Sequence, residues 1–420
     1  MERYSEYKDS GVLWLGEIPG HWGCVQNRFI FKENIRFPQE NDTPLSLSQV
    51  DGLIPTDDMK ESSLKTSSYD NWKRVHIDDI VLNRFKAHLG VLFASKYIGM
   101  VSFHYGVFEM IRPIIPKYYE YMFHSDQFRL ILGFASKGMT VGLQNLGNAD
   151  FYNLKSLYPP IEEQHSIVSF LDDKCGKIDK MLGGKQKQIE LLAEMKQRII
   201  ADAVTRGLNP DVKMKATNIP WLSEIPEHWE EQRMATLFTG DIEVNKDFEY
   251  KRAFKFNYGQ LVPKNEIGEP EDYREVYVKY SKIKQGDILV NGLNLNYDFI
   301  SQRVACAPSD GIITSAYVVC RPRKDVNYEY YTYLFKGMDS MKLFHGMGTG
   351  IRLTLSFKEM KKQILPIPPH SEQHDIVSYI KERSAKIDTL TSKLQQEIES
   401  IKEYKQRLIS DVVTGQIKVC

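Results

Sequence analysis

At 420 residues the chain is long enough for two or three domains that each bury a core, and 42% apolar with 26% charged residues is the composition of an ordinary globular protein. Its 55 basic and 55 acidic residues cancel, which counts against indiscriminate nucleic-acid binding but leaves room for a basic face balanced elsewhere. No apolar run approaches the roughly 18 residues of a membrane span, no basic-then-apolar leader opens the chain, and five scattered cysteines without Cys-x-x-Cys spacing read as free thiols of a reducing cytoplasm.

The first recognisable segment is a box, Trp14-Leu15-Gly16-Glu17-Ile18-Pro19-Gly20-His21-Trp22. A β-rich stretch follows, with strand-like runs at Asp79–Arg84 and Gly99–Phe103, an aromatic helix over Tyr118–Phe123 and a glycine-flanked turn at Gly138–Gly142. Its loops carry Arg84, Lys86 and His88, then Lys137, Gln144 and Asn145. At Pro159-Pro160 a helix begins, because proline tolerates only the first turn, and Glu163-Gln164-His165 suits the helix dipole. Ile167, Val168 and Leu171 follow at helical spacing. A row then steps by four and three through Ile178, Leu182, Lys185, Ile189, Leu192, Lys196, Ile199 and Ala203, the period of a coiled-coil seam. Gly183-Gly184 weakens this helix locally.

The same frame then returns. Trp221-Leu222-Ser223-Glu224-Ile225-Pro226-Glu227-His228-Trp229 repeats the box, and residues 368–415 repeat 159–206 without a gap, with 22 of 48 positions identical. The second seam is Ile387, Thr391, Leu394, Ile398, Ile401, Lys405, Leu408 and Val412. Between these repeats the second insert follows the plan of the first and almost none of its sequence: strand-like Asp287–Gly292 and Gly311–Ser315, aromatic Tyr328–Leu334, then Gly346–Gly350. Its loop residues are Asn291, Asn294, Asn296, Tyr297, Gln302, Arg303 and Arg352. Arginine can read guanine bidentately and Asn or Gln can read adenine, so both loop sets suit DNA base edges. The sustained seams predict that the two helices pack on each other as an antiparallel pair, with the divergent inserts at its opposite ends about a pseudo-twofold axis.

Signatures of covalent chemistry fail on inspection. Gly133 and Gly138 have phosphate-loop spacing, but Met139 stands where Lys belongs. Tyr158-Pro159-Pro160 lacks the Asp or Asn that a methyltransferase motif would place before it, and no Gly-x-Gly loop follows a strand. His370 and His374 lack a third ligand for zinc. The reading is therefore of a chain without catalysis and without a metal site.

The two boxes, the Pro-Pro-x-x-Glu-Gln starts and the long helix after each, in the order variable, repeated, variable, repeated, resemble the specificity subunit of type I restriction-modification systems over the whole chain. The resemblance implies a mixed α/β fold with target recognition domains at 1–158 and 216–366 and helical spacers at 159–215 and 367–420. It implies double-stranded DNA as a partner, bound through Arg84, Lys86, His88, Lys137, Gln144, Asn291, Asn294, Gln302, Arg303 and Arg352. Two methyltransferase subunits would dock on the spacers, whose residues include Glu163, Gln164, Ile178, Ile189, Leu192, Ile199, Glu372, Gln373, Ile387, Ile398, Ile401 and Leu408. Restriction subunits would join through the complex. S-adenosylmethionine, ATP and Mg2+ would sit on those partners and no cofactor on this chain, in the cytoplasm. A duplicated protein-binding scaffold without DNA contact is the rival from another class, and an enzyme with an unrecognised site in an insert is a third reading.

Overall fold

The Pro-Pro pairs start two helices of unusual length, Ile161–Arg206 and His370–Val413. The computed structural model describes residues 2–12, 14–49, 51–59, 69, 71–138, 144–349 and 353–419. These divide into two compact units: unit 1 is residues 1–186 with 395–420, and unit 2 is residues 187–394. Each unit thus contains one end of each long helix.

In unit 1, Ile167, Leu171 and Cys175 of the first helix share a core with Leu408, Ile409, Val412 and Val413 of the second. A helix start meeting a helix end is antiparallel packing, and full burial of each such aliphatic side chain contributes roughly 1.5–3 kcal/mol. Lys185 pairs with Glu397, and Lys405 with Asp179 at 2.6 Å. In unit 2, Ile200, Ala203 and Val204 share a core with Ile376, Val377 and Ile380, and Lys196 holds Asp388 at 2.8 Å. The predicted seams are therefore the contact rows, and the lysines that interrupt them swing out to acids on the facing helix. Ile178, Ile189, Leu192, Ile199 and Ile401 are half-buried, while Ile387, Ile398 and Leu408 are buried.

Each insert enters and leaves on adjacent antiparallel strands. Gly23–Gln26 pairs with Lys155–Tyr158 in unit 1, and Glu230–Arg233 with Ile364–Ile367 in unit 2. Beyond this clasp both inserts build a four-stranded sheet of the same order. In unit 1 it runs Phe31–Glu33, Tyr105–Met110, Ile80–Asn83, Leu92–Ala94; in unit 2, Phe238–Thr239, Val318–Pro322, Ile288–Val290, Val304–Cys306. Unit 1 adds a second four-stranded sheet, in which Thr43–Ser48 and Gly99–Val101 pair in parallel. The aromatic helices fulfil their prediction as Pro116–His124 and Tyr328–Ser340. Their buried tyrosines reach the end of a long helix: Tyr118 donates to the Val413 carbonyl at 3.0 Å, and Tyr330 to the Val204 carbonyl at 3.1 Å. The last carbonyls of a helix have no partner within it, so these hydroxyls complete the helix ends.

The repeated boxes close on each other. Trp22 is fully buried, and its indole N–H donates to Glu163 Oε2 at 3.0 Å. Tyr4 Oη donates to the same oxygen at 2.8 Å, and His21 Nε2 lies 2.5 Å from Oε1. Unit 2 repeats the arrangement, with Trp229 donating to Glu372 at 3.0 Å and His228 at 2.7 Å from it. A buried indole needs an acceptor, and the first turn of a helix favours a carboxylate. The neighbouring Gln164 and Gln373 are buried and donate to the carbonyls of Pro159 and Pro368. All four side chains are thus engaged inside the chain, and the two glutamines offer no surface to a partner. Each latch also covers a helix end. Gly415 (φ +72°) has its Cα so close to Pro19 and Trp22 that a Cβ would lie 2.5 Å from the Pro19 ring, and Gly207 (φ +74°) packs likewise on Glu372 and Trp229.

Gly415→Ala should destabilise unit 1 by about 1–3 kcal/mol, through backbone strain and the Pro19 clash. Gly183→Ala and Gly184→Ala, in a helix with open space around them, should each stabilise by roughly 0.5–1 kcal/mol. Urea denaturation checks both signs. For Glu163, burial opposes ionisation, but the bonds from Trp22, Tyr4 and His21 outweigh it and hold the carboxyl below its ordinary range. Its contribution is therefore complete above the unfolded carboxyl's pKa, about 4.3, and is lost as pH falls through the lower folded value. Glu163→Gln should flatten this acid limb of the stability curve, read by denaturation at a series of pH values between about 3 and 6.

Candidate nucleic-acid interface

Both inserts turn at an asparagine that ends the same buried strand. In unit 1, Asn83 Oδ1 accepts from the Phe85 and Lys86 amides and starts a 3-10 turn over Arg84–Leu89. Arg84 donates to Glu33 Oε1 and Asn148 Oδ1, both at 2.7 Å, and Glu33 also holds Lys73 at 2.8 Å. The Arg84 charge is thus largely answered within the protein, while Lys86 beside it is exposed. Lys137 and Asn145 exchange backbone bonds of 3.0 and 2.8 Å. Lys137 is exposed and pairs with Asp150 at 2.8 Å. His88 and Gln144 line one shallow groove of about 470 Å³ with Arg129, Leu130 and Phe134 of the helix Asp126–Ala135. The backbone ties these loops together, since the Leu146 amide donates to the Arg84 carbonyl at 3.0 Å.

In unit 2 the equivalent bond runs from the Leu355 amide to the Gly292 carbonyl at 2.9 Å, after Asn291. The loop 292–302 is longer than its counterpart and is held from inside. Arg303 is fully buried. Its Nη1 donates to the carbonyls of Asn291 (2.9 Å) and Leu293 (2.8 Å), and its Nη2 to those of Asp298 (2.6 Å) and Asn294 (3.4 Å). Its backbone N–H donates to Asp339 at 2.8 Å. Burial pushes the Asp339 carboxyl up, against that bond. Asn291 accepts from Leu293, whereas Asn294, Tyr297 and Gln302 project from the loop, Asn294 at φ +52°. Arg352 lies outside the described residues.

Residues 254–400 match the family described as the type I restriction modification DNA specificity domain. The chain is 26% identical to the type I restriction enzyme MjaVIII specificity subunit of Methanocaldococcus jannaschii, over 82% of this chain and 80% of that one. Among solved structures, it is similar to a chain from a study of complex assembly and conformational transition of the type I R-M system, with a TM-score of 0.69 at 15% identity, covering 95% of this chain and 99% of that one. It is also similar to the HsdS subunit from Thermoanaerobacter tengcongensis, with a TM-score of 0.50 at 15% identity over 95% and 98%. Sequence and fold thus resemble those of type I specificity subunits over most of the chain.

The exposed loop chemistry of both inserts is more apolar than their basic and amide residues suggest. Leu130 and Phe134 stand outward in unit 1, and Tyr258, Tyr297 and Ile300 in unit 2, each more than 60% exposed. Apolar side chains in a loop, or on a helix face with no core to meet, were the available signal. Arg303 was expected at the surface and is instead the internal strut of the loop. Replacing it with Met should cost about 2–3 kcal/mol, because a charged donor to several carbonyls is lost. It should also expose 292–302 to limited proteolysis, while Gln302→Ala stays within ~0.5 kcal/mol. Unchanged cleavage of Arg303→Met would show that the loop holds itself.

Proposed function

We propose that this chain is the DNA-reading subunit of a type I restriction-modification complex and that it reads a bipartite target, one half-site per insert. The observation that carries this reading is the repeated latch and clasp holding two loop sets of different length and chemistry. A repeated frame serves a shared task, and divergent loops serve two different targets. Lys86 and Lys137 are suited to phosphates, and Gln144, Asn294 and Gln302 to base edges. Arg84 and Arg303 act by fixing the loops that carry the readers.

The doubled helices suit two equivalent methyltransferase subunits. With the seam residues spent on helix pairing, docking falls to exposed apolar side chains on the same helices, such as Leu191, Met195 and Leu390. S-adenosylmethionine, ATP and Mg2+ belong to the partners in this reading, and restriction subunits join through them.

Exchange of residues 230–365 for another insert should change one half-site of the methylated sequence and leave the other intact, as read by mapping methylated adenines. Change in both halves sinks the modular reading. Lys86→Ala should weaken binding to all sequences alike and lower the salt slope by about 1. Absence of salt-dependent duplex binding by the assembled complex would leave the protein-binding scaffold as the function.

A further inference from the structure

The two units part company at one place beside the aromatic helix. Tyr118 and Tyr330 occupy the same position, since each completes a long-helix end. Three residues on, Tyr121 and Tyr333 correspond, and after three more, His124 and Lys336. On the long helices the repeat sets Asp172 against Lys381. In unit 1, Tyr121 donates to Asp172 at 2.6 Å, and His124 bonds the Leu92 carbonyl at 2.8 Å. In unit 2 both the acid and the histidine are lysines, and an ammonium cannot accept the bond that Tyr121 gives to Asp172. A cavity of about 410 Å³ lies there instead, walled entirely by unit 2.

Two of its polar atoms lack partners. Asp339 Oδ1 and Ser384 Oγ are buried without a hydrogen bond. Lys336 is half-buried in the wall, and no ion pair reaches it among the described residues. Burial, and after it the neighbouring Lys196, holds the Lys336 ammonium below its ordinary range. Of the four lysines in the wall, Lys196 is paired with Asp388 and Lys381 with Glu329, which leaves Lys336 and Lys342 against Asp339. Buried polar atoms without partners are rare and call for a missing one, and a shielded ammonium is stabilised by a counter-charge. At the rim stand Tyr258 and Ile300, both almost fully exposed.

We propose that this cavity binds a mononucleotide-sized phosphate ester, with the phosphate on Lys336, Asp339 accepting from the base, and the base against Tyr258 and Ile300. Lys336 and Lys342 are the wall cations left to meet a phosphate, the volume is that of a small-ligand site, and an aromatic rim stacks any base. The ligand can be a free nucleotide or a nucleotide of a DNA strand, which share this chemistry. The site does not depend on the DNA-reading function.

The test is calorimetric titration of the full chain with adenosine monophosphate, guanosine monophosphate, inorganic phosphate and a short single-stranded DNA. Saturable binding of one nucleotide per chain, about tenfold tighter than inorganic phosphate, is expected. Lys336→Met should weaken it by about tenfold or more, and Tyr258→Ala, at an exposed position, should weaken nucleotide but not phosphate. Asp172→Ala in unit 1 should change nothing. Binding of the DNA strand alone, lost in Lys336→Met, supports the site and assigns the strand as its source. Inorganic phosphate binding as tightly as nucleotide overturns the proposal. So does nucleotide binding unmoved by both unit 2 variants, or no saturable binding by any of the four probes.

Discussion

A single carboxylate at the start of each long helix, accepting an indole N–H and facing an imidazole, is the contact on which each unit closes. In unit 1 Glu163 joins Trp22 and His21 from the beginning of the chain, and the same indole packs against Gly415 near the end. In unit 2 Glu372 does this for Trp229, His228 and Gly207. Three short sequences that are distant along the chain must therefore be kept together: a Trp box, a Pro-Pro-x-x-Glu-Gln start and a helix end with a glycine in left-handed conformation. None buries its own polar atoms alone. That is a physical reason for them to recur together while the sequence between them drifts.

The clasp strands extend this logic to the inserts. Each insert leaves the frame beside the strand on which it returns, through backbone bonds that any sequence can make. Side chains beyond the clasp are released from the frame's constraints, and the two inserts have used that freedom differently. Unit 1 fixes its loop by an asparagine cap and a Glu33-centred charge network at the surface of the sheet. Unit 2 fixes a longer loop by threading a guanidinium beneath it. Both retain the same bond from a buried leucine amide to the residue after the asparagine, so the loops differ while their anchor points do not.

The two modes of support also explain how charge divides between structure and surface. Arg84 and Arg303 are the most conspicuous loop cations in the sequence, and both spend their donors within the protein. Lys86 and Lys137, less suited to forked hydrogen bonding, are the ones left at the surface. Arginine's planar array of donors makes it the better strut, because one side chain can gather several carbonyls at once.

What the sequence determined by itself was everything periodic or repeated. The seams through Ile178–Ala203 and Ile387–Val412, the helix starts at the proline pairs and the common plan of the inserts all follow from spacing, and spacing is a local property. The family likeness rested on the same repeats. Tertiary structure alone decided which way individual side chains face. Glu163 and Gln164 were legible as a motif, but that they face Trp22 and the Pro159 carbonyl depends on residues more than a hundred positions away or on the fold of the turn. Arg303 was legible as a charge, and only the path of 292–302 around it makes it interior. A cation's identity is written in the chain, whereas its exposure is set by which segments close over it, and long-range packing chooses those.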